Sequence, residues 1–115
     1  MSIKVVGVIV DPGVEPDVAE VTATLATYKK IVGGQLQFLL TDDETMIAYI
    51  DEEAKLKPGV VRNEVGSEMY TRVSQGLLPG DYIAGPIFFI GMDDDGLECS
   101  LTQEQIVRLK DTLEL

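Results

Sequence analysis

The run Asp81–Gly91, DYIAGPIFFIG, decides how the chain folds, because it is the most apolar stretch and turn residues bound it on both sides. Its second half, Ile87–Ile90, is β-branched or aromatic, which suits a packed strand. Short apolar runs between turn signals are typical of strands covered on both faces. Pro86 cannot donate a ladder hydrogen bond, so it predicts a bend at this point. We therefore predict a central buried strand over 81–91, with 87–90 as its regular part.

The remaining strands follow from alternation and turn residues. Residues 3–10 are nearly all apolar and predict a second central strand, which Asp11-Pro12-Gly13 ends. Residues 14–21 contain Pro16 and predict an edge strand that pairs with the first. A polar turn between 35–40 and 45–50 predicts a hairpin. Residues 97–99 predict a short return strand across the Asp95-Gly96 turn.

Three helices are indicated by capping residues and apolar periodicity. Thr22 or Thr24, Asn63 and Thr102 can each accept from a free backbone N–H at a helix start. Gln105 follows Thr102 by three residues and completes a capping-box pattern. Gly33 and Gly76 can end the first two helices. The predicted buried stripes are Leu25, Tyr28 and Val32; Val65, Met69 and Val73; and Ile106, Leu109 and Leu113.

The resulting order is β-β-α-β-β-α-β-β-α over one domain, residues 1–115. Hairpins separated by helices indicate an α+β fold with a mainly antiparallel sheet. A chain of this length can bury one modest core.

Charge is the unusual feature of the composition. The chain has 20 acidic and 9 basic residues, a net charge of −11, and both halves share the excess of acids. Phosphate contacts need a basic face, so direct nucleic-acid binding is disfavoured. The acidity has two readings: it keeps the protein soluble, or it forms a surface that competes with nucleic acid for a basic partner.

The residue types present argue against familiar catalytic chemistry. The sequence contains no histidine, the commonest general base and a usual metal ligand. Cys99 is the single cysteine, which we read as a packed thiol; it could act as a nucleophile only if a base or helix N-terminus lowered its pKa. We therefore expect no enzymatic activity, no metal site and no cofactor.

Three local motifs could hold ligands. Asp93-Asp94-Asp95-Gly96 resembles a calcium loop, but an EF-hand register would place Thr102 where glutamate is required, so we predict a solvated turn. Gly33-Gly34 lacks the context of a phosphate-binding loop and is read as helix termination. Arg62 and Asn63 stand at a predicted helix start, where an anion could bind. They are the candidate ligand-binding residues, with an N-cap beside an exposed arginine as the simpler reading.

Several short motifs occur together in one order along the chain: Ile31-Val32-Gly33-Gly34, Asn63, the run from Ile83-Ala84-Gly85-Pro86 to Ile90-Gly91, and Ser100-Leu101-Thr102. In this order the chain resembles domain of unknown function 3846, a family of small proteins associated with phages, plasmids and bacteria. The resemblance spans nearly the whole chain. It implies a phage or mobile-element origin and an accessory role, and it carries no established activity.

These observations favour a cytoplasmic protein that acts by binding and has no membrane partner. In the first hypothesis the acidic surface engages a host protein, in the limit as a nucleic-acid mimic that blocks a defence enzyme. In the second, the protein sequesters a small anionic ligand such as a nucleotide signal, which would require Arg62, Arg72 and Arg108 to gather at one place. An enzyme of unknown class is the third hypothesis. A homo-oligomer paired through an exposed strand edge or through the apolar end Leu113–Leu115 stays open.

Overall fold

The computed structural model describes residues 3–113. Within these residues, six strands and three helices follow one another in the predicted order. Their bounds are β1 Lys4–Val10, β2 Asp17–Thr22, α1 Leu25–Val32, β3 Leu36–Leu40, β4 Met46–Asp51, α2 Glu64–Arg72, β5 Ile87–Met92, β6 Glu98–Cys99 and α3 Gln103–Asp111. A short 3₁₀ turn, Ala54–Leu56, lies between β4 and α2.

The strands form one sheet in the order β2-β1-β5-β4-β3, and β6 pairs with the end of β5. Every strand pairing within residues 3–113 is antiparallel. β5 is therefore the central strand, with β1 and β4 as neighbours. The prediction of an α+β fold with an antiparallel sheet is confirmed.

Helices cover both faces of the sheet, so the domain has three layers. On one face, α2 and α3 pack on alternate strand residues such as Val8, Ile87 and Phe89. On the other, Tyr28 and Val32 of α1 pack on Phe88 and Ile90. Since successive residues of a strand point to opposite faces, only a strand apolar at nearly every position can serve two cores. This is why the run around Phe88 and Phe89 organises the fold.

The predicted central strand is too long at its start. β5 begins at Ile87, and residues 81–86 are irregular apart from one bridge between Arg62 and Ala84. Pro86 has no N–H to donate, and Gly85 adopts a positive φ of 71°, so the regular ladder starts after them. The Gly85 N–H instead donates to the Val61 carbonyl oxygen at 2.9 Å.

Other boundaries and two buried positions also differ from prediction. β2 begins at Asp17, after Pro16, and α2 ends at Arg72, before Gly76. Leu25 and Leu113 were predicted to face the core, but they are 58% and 37% exposed. Leu25 is the first residue of α1, and Leu113 lies two residues past the end of α3. Residues 114 and 115 of the predicted apolar end lie outside the described residues.

The predicted N-terminal helix caps and the end of α1 at Gly33 are confirmed, whereas Val73 and not Gly76 caps the end of α2. Thr24, rather than Thr22, caps α1, and Gly33 ends that helix in the left-handed conformation. Asn63 caps α2 through its side-chain oxygen. Thr102 and Gln105 form the reciprocal capping box of α3. Within residues 3–113, no helix combines the length and the apolar character needed to cross a lipid bilayer.

Candidate functional site

Two turns lie side by side at one end of the sheet. The first, residues 41–45, joins β3 to β4, and the second, residues 93–97, joins β5 to β6. Because Met46 pairs with Gly91, the start of β4 lies beside the end of β5. The Met92 N–H donates to the Thr45 carbonyl oxygen at 2.9 Å and fastens the two turns together.

Helix α3 begins at the same end of the sheet. The Gln105 side-chain nitrogen donates to Asp43 Oδ2 at 3.0 Å and to Thr45 Oγ1 at 2.9 Å. The first turn of α3 is therefore held against the β3–β4 turn. We call this region the acidic end. Its carboxylates are Asp42, Asp43, Glu44, Asp93, Asp94, Asp95, Glu98 and Glu104.

One of these carboxylates is neutralised by an ion pair. Arg108 on α3 contacts Asp42 at 2.8 Å, and the other seven have no ion pair within residues 3–113. Burial acts to raise the pKa of Asp43, but hydrogen bonds from Gln105 and Thr45 and the charge of Arg108 outweigh it, so this pKa lies below its usual value. The Asp43 carboxylate is therefore ionised at neutral pH.

Three carboxylates of the acidic end also have internal hydrogen-bonding roles. Asp43 accepts from Gln105 and Thr45, Asp93 accepts from the Asp95 and Leu97 N–H groups, and Glu98 accepts from the Tyr49 hydroxyl at 2.5 Å. These bonds fix the turns and orient their neighbours. Glu44, Asp94, Asp95 and Glu104 are exposed, and no intramolecular hydrogen bond to their carboxylates forms within the described residues. Those four side chains are open to a partner.

The opposite end of the sheet holds the predicted ligand-binding pair. Asn63 is completely buried, and its amide nitrogen donates to the carbonyl oxygens of Val10 at 2.8 Å and Gly85 at 2.9 Å. Its side-chain oxygen accepts from the Gly66 N–H. The Asn63 amide is thus fully used in holding the fold, so of the two predicted residues it is Arg62 whose side chain reaches solvent.

Around Arg62 the structure gathers residues that sequence reasoning missed. Arg62 pairs with Glu64 at 2.9 Å and lies over the Tyr82 ring, 4.7 Å from its centroid. Lys55 lies over the same ring at 4.5 Å and pairs with Asp81. Tyr82 is twenty positions from Arg62, so no local pattern could have indicated this contact. Each cation already has a carboxylate, and the cluster offers no surplus positive charge.

Asp51, at the end of β4, carries a buried carboxylate. It accepts from Lys57 and from the Glu53 N–H, and a Cβ on Gly34 would lie 2.5 Å from its Oδ1. Burial acts to raise the pKa of Asp51, but these hydrogen bonds and the Lys57 charge lower it overall. Gly33 ends the helix as predicted, whereas Gly34 makes room for Asp51. Two shallow grooves of about 270 and 300 Å³ flank this residue.

The remaining sequence candidates do not assemble into a site. Arg72 pairs with Glu68, and Arg108 pairs with Asp42, so the three arginines lie on separate elements, each beside an acid. Cys99 is half-buried, and burial together with the charge of Asp93 raises its pKa. Within residues 3–113, no three histidine, cysteine or acidic side chains are arranged to hold a metal ion.

Fold and site together define a small three-layer α+β protein with an acidic end on its sheet. The family model for the domain of unknown function DUF3846 matches residues 3–114, so the chain belongs to that family. No match to the chain was found among curated proteins or among solved structures.

Proposed function

We propose that this protein acts by binding a host protein through the acidic end, without catalysing a reaction. The observation that supports the proposal is the convergence of eight carboxylates from two turns, β6 and the start of α3, with Arg108 as their ion-pairing base within residues 3–113. Such a concentration of one sign attracts a basic surface and speeds its association. A basic surface that normally contacts nucleic acid is one such partner, and the resemblance to phage-associated proteins is consistent with a counter-defence role.

The ion pairs favour this proposal over sequestration of a small anion. Of the nine basic residues, Lys55, Lys57, Arg62, Arg72 and Arg108 each pair with a carboxylate of the same chain. An anionic ligand that bound any of these five residues would have to displace its carboxylate. A basic partner meets acidic side chains such as Glu44 and Asp94, which are exposed and have no ion pair within residues 3–113.

Two variants with the same charge change test the assignment. The acidic-end variant carries Glu44→Gln, Asp94→Asn, Asp95→Asn and Glu104→Gln. The matched control, the hairpin variant, carries Asp11→Asn, Glu15→Gln, Asp17→Asn and Glu20→Gln in the β1–β2 region. Each variant removes four negative charges from exposed positions.

Wild-type protein and both variants are immobilised and exposed to a lysate of the host bacterium. We expect a protein that wild type and the hairpin variant retain, that the acidic-end variant loses, and that high salt releases. Release by added duplex DNA would identify a nucleic-acid-binding surface on that partner. Equal loss of binding in both variants would show that net charge alone acts, and would contradict the proposal.

A further inference from the structure

The two edges of the sheet differ in how they are protected. The edge strand β2 carries Asp17 and Glu20, charges that discourage pairing with another chain. The edge strand β3, LQFLL, has no charged residue, and the uncharged stretch extends over residues 31–41. Because no charged side chain on β3 opposes pairing, this edge can accept another strand.

The backbone of β3 is open to such pairing. The Glu52 N–H donates to the Gln35 carbonyl oxygen at 2.8 Å, so alternation along the antiparallel ladder turns the backbone groups of Leu36, Phe38 and Leu40 away from β4. The Leu40 carbonyl oxygen accepts from the Tyr70 hydroxyl at 2.7 Å. This leaves the N–H and C=O groups of Leu36 and Phe38 facing outward along the edge.

Side chains on both sides of the edge provide contact surface. On the α1 side, Phe38 and Leu40 are 51% and 69% exposed. On the opposite side, the groove of about 270 Å³ runs beside the strand. Its lining includes Gln37, Leu39, Leu77, Glu52, Asp81 and Tyr82. A strand added to β3 would place alternate side chains on Phe38 and in this groove.

We propose that β3 accepts an extended segment of a protein partner, apolar at its centre and flanked by lysine or arginine. The charges at the two ends of the strand select this occupant. β3 runs into Asp42, Asp43 and Glu44, and its start lies beside Glu52 and Glu53. Lys57 donates to the Gly33 carbonyl oxygen near that start, but its charge is already paired with Asp51. In an antiparallel pair of two copies, each acidic end of β3 would face acids of the other copy, which is unfavourable. A segment with basic flanks meets opposite charge at both ends.

This inference rests on the proposed function for the charge of the partner, and it adds the strand that the partner contacts. The probe is a short peptide of alternating valine and threonine with lysines at both ends. One control peptide replaces the lysines by glutamates, and another carries N-methyl groups on the amides that would pair. Affinity is measured by titration calorimetry, and hydrogen exchange of the Leu36 and Phe38 amides is followed by NMR.

We expect the lysine-flanked peptide to bind and to slow exchange of the Leu36 and Phe38 amides, while both control peptides bind at least about tenfold more weakly. Phe38→Lys should weaken binding about tenfold or more, because it places a charge on the pairing edge. Phe38→Pro removes the outward N–H without touching the β4 ladder and should have the same effect. Val18→Lys on the other edge is the matched control and should leave binding unchanged.

Binding without protection of the two amides, or equal binding by wild type and both Phe38 variants, would overturn the inference. A dimer of the free protein that protects the same amides would overturn the choice of occupant. Phe38 variants that bind normally while the acidic-end variant loses the peptide would leave the proposed function standing. Loss of binding by the Phe38 variants together with normal binding by the acidic-end variant would support β3 as the contact strand and count against the proposed function.

Discussion

The side-chain amide of Asn63 donates to the carbonyl oxygen of Val10 at 2.8 Å, which fastens the start of α2 to the end of β1. The same nitrogen donates to Gly85, just before β5. One residue therefore caps a helix and joins it to two strands of the sheet. Asn63 is therefore explained by its structural role, although it is next to Arg62 in the sequence.

Replacing Asn63 should cost far more than replacing an ordinary cap. Asn63→Ala leaves the Val10 and Gly85 carbonyls and the Gly66 N–H without their partner, and buried unsatisfied groups are expensive. We expect the free energy of unfolding to fall by about 3 kcal/mol or more. Thr24→Ala, which removes an exposed cap of α1, should cost about 1 kcal/mol. Urea denaturation measures both, and equal losses would mean that Asn63 acts as a cap alone.

Gly66 should not tolerate alanine, although alanine is the better helix former. A Cβ at this position would lie 2.7 Å from the Asn63 amide nitrogen and 2.8 Å from Ile87 Cγ2. Relieving such overlap should destabilise the protein by about 1–3 kcal/mol, more than the helix propensity returns. Thr71→Ala, at an exposed position of the same helix, should be neutral or slightly stabilising. Thermal unfolding of the two variants would contradict this account if Gly66→Ala raised the melting temperature.

The ion pair between Asp51 and Lys57 should make stability depend on acid pH. The pKa of Asp51 is lowered in the folded protein, so its contribution to stability is present above the unfolded pKa of about 3.9 and is lost as pH falls through the folded pKa. Lys57→Met leaves the buried carboxylate without its cation. Allowing for the exposure of Lys57, we expect the free energy of unfolding to fall by about 2 kcal/mol near neutral pH.

The difference in the free energy of unfolding between wild type and Lys57→Met should narrow as the pH falls below about 4, because wild type loses the paired carboxylate while the variant has no ion pair to lose. Denaturant unfolding across this pH range measures the gap. Lys110→Met, at an exposed position on α3, is the control and should track wild type. A gap that stays constant with pH would show that Lys57 contributes packing rather than charge.

Cys99 should react slowly with alkylating reagents. Burial and the charge of Asp93 raise the pKa of its thiol, so less thiolate is present at mildly alkaline pH than for an ordinary cysteine. We expect iodoacetamide to modify the folded protein more slowly than the urea-unfolded chain. Asp93→Asn keeps the turn acceptor and removes the charge, and it should raise the rate modestly. Fast modification of the folded protein would revive the nucleophile hypothesis.

Local chemistry was sufficient to predict much of the fold. Asn63 and Thr102, and either Thr22 or Thr24, were predicted as caps because a helix start exposes N–H groups that nearby side chains can satisfy. The central position of β5 followed from apolar residues on both faces of one strand. Boundaries failed where a proline or a glycine with positive φ intervened, as at Gly85-Pro86. The prediction that Leu25 is buried was wrong, because apolar periodicity identifies one face of a helix without showing how far the surface it packs on extends.

The sequence by itself determined the element order, the caps, the antiparallel α+β class and the excess of negative charge, since all depend on neighbouring residues or on composition. Tertiary structure decided which charges gather. Asp43 and Asp93 are fifty positions apart, and their turns meet because β4 pairs with β5 in one register. It also decided that Asn63 is buried, that Gly34 accommodates Asp51 and that β3 keeps an open edge. Such contacts join distant segments, and only the packed sheet brings those segments together.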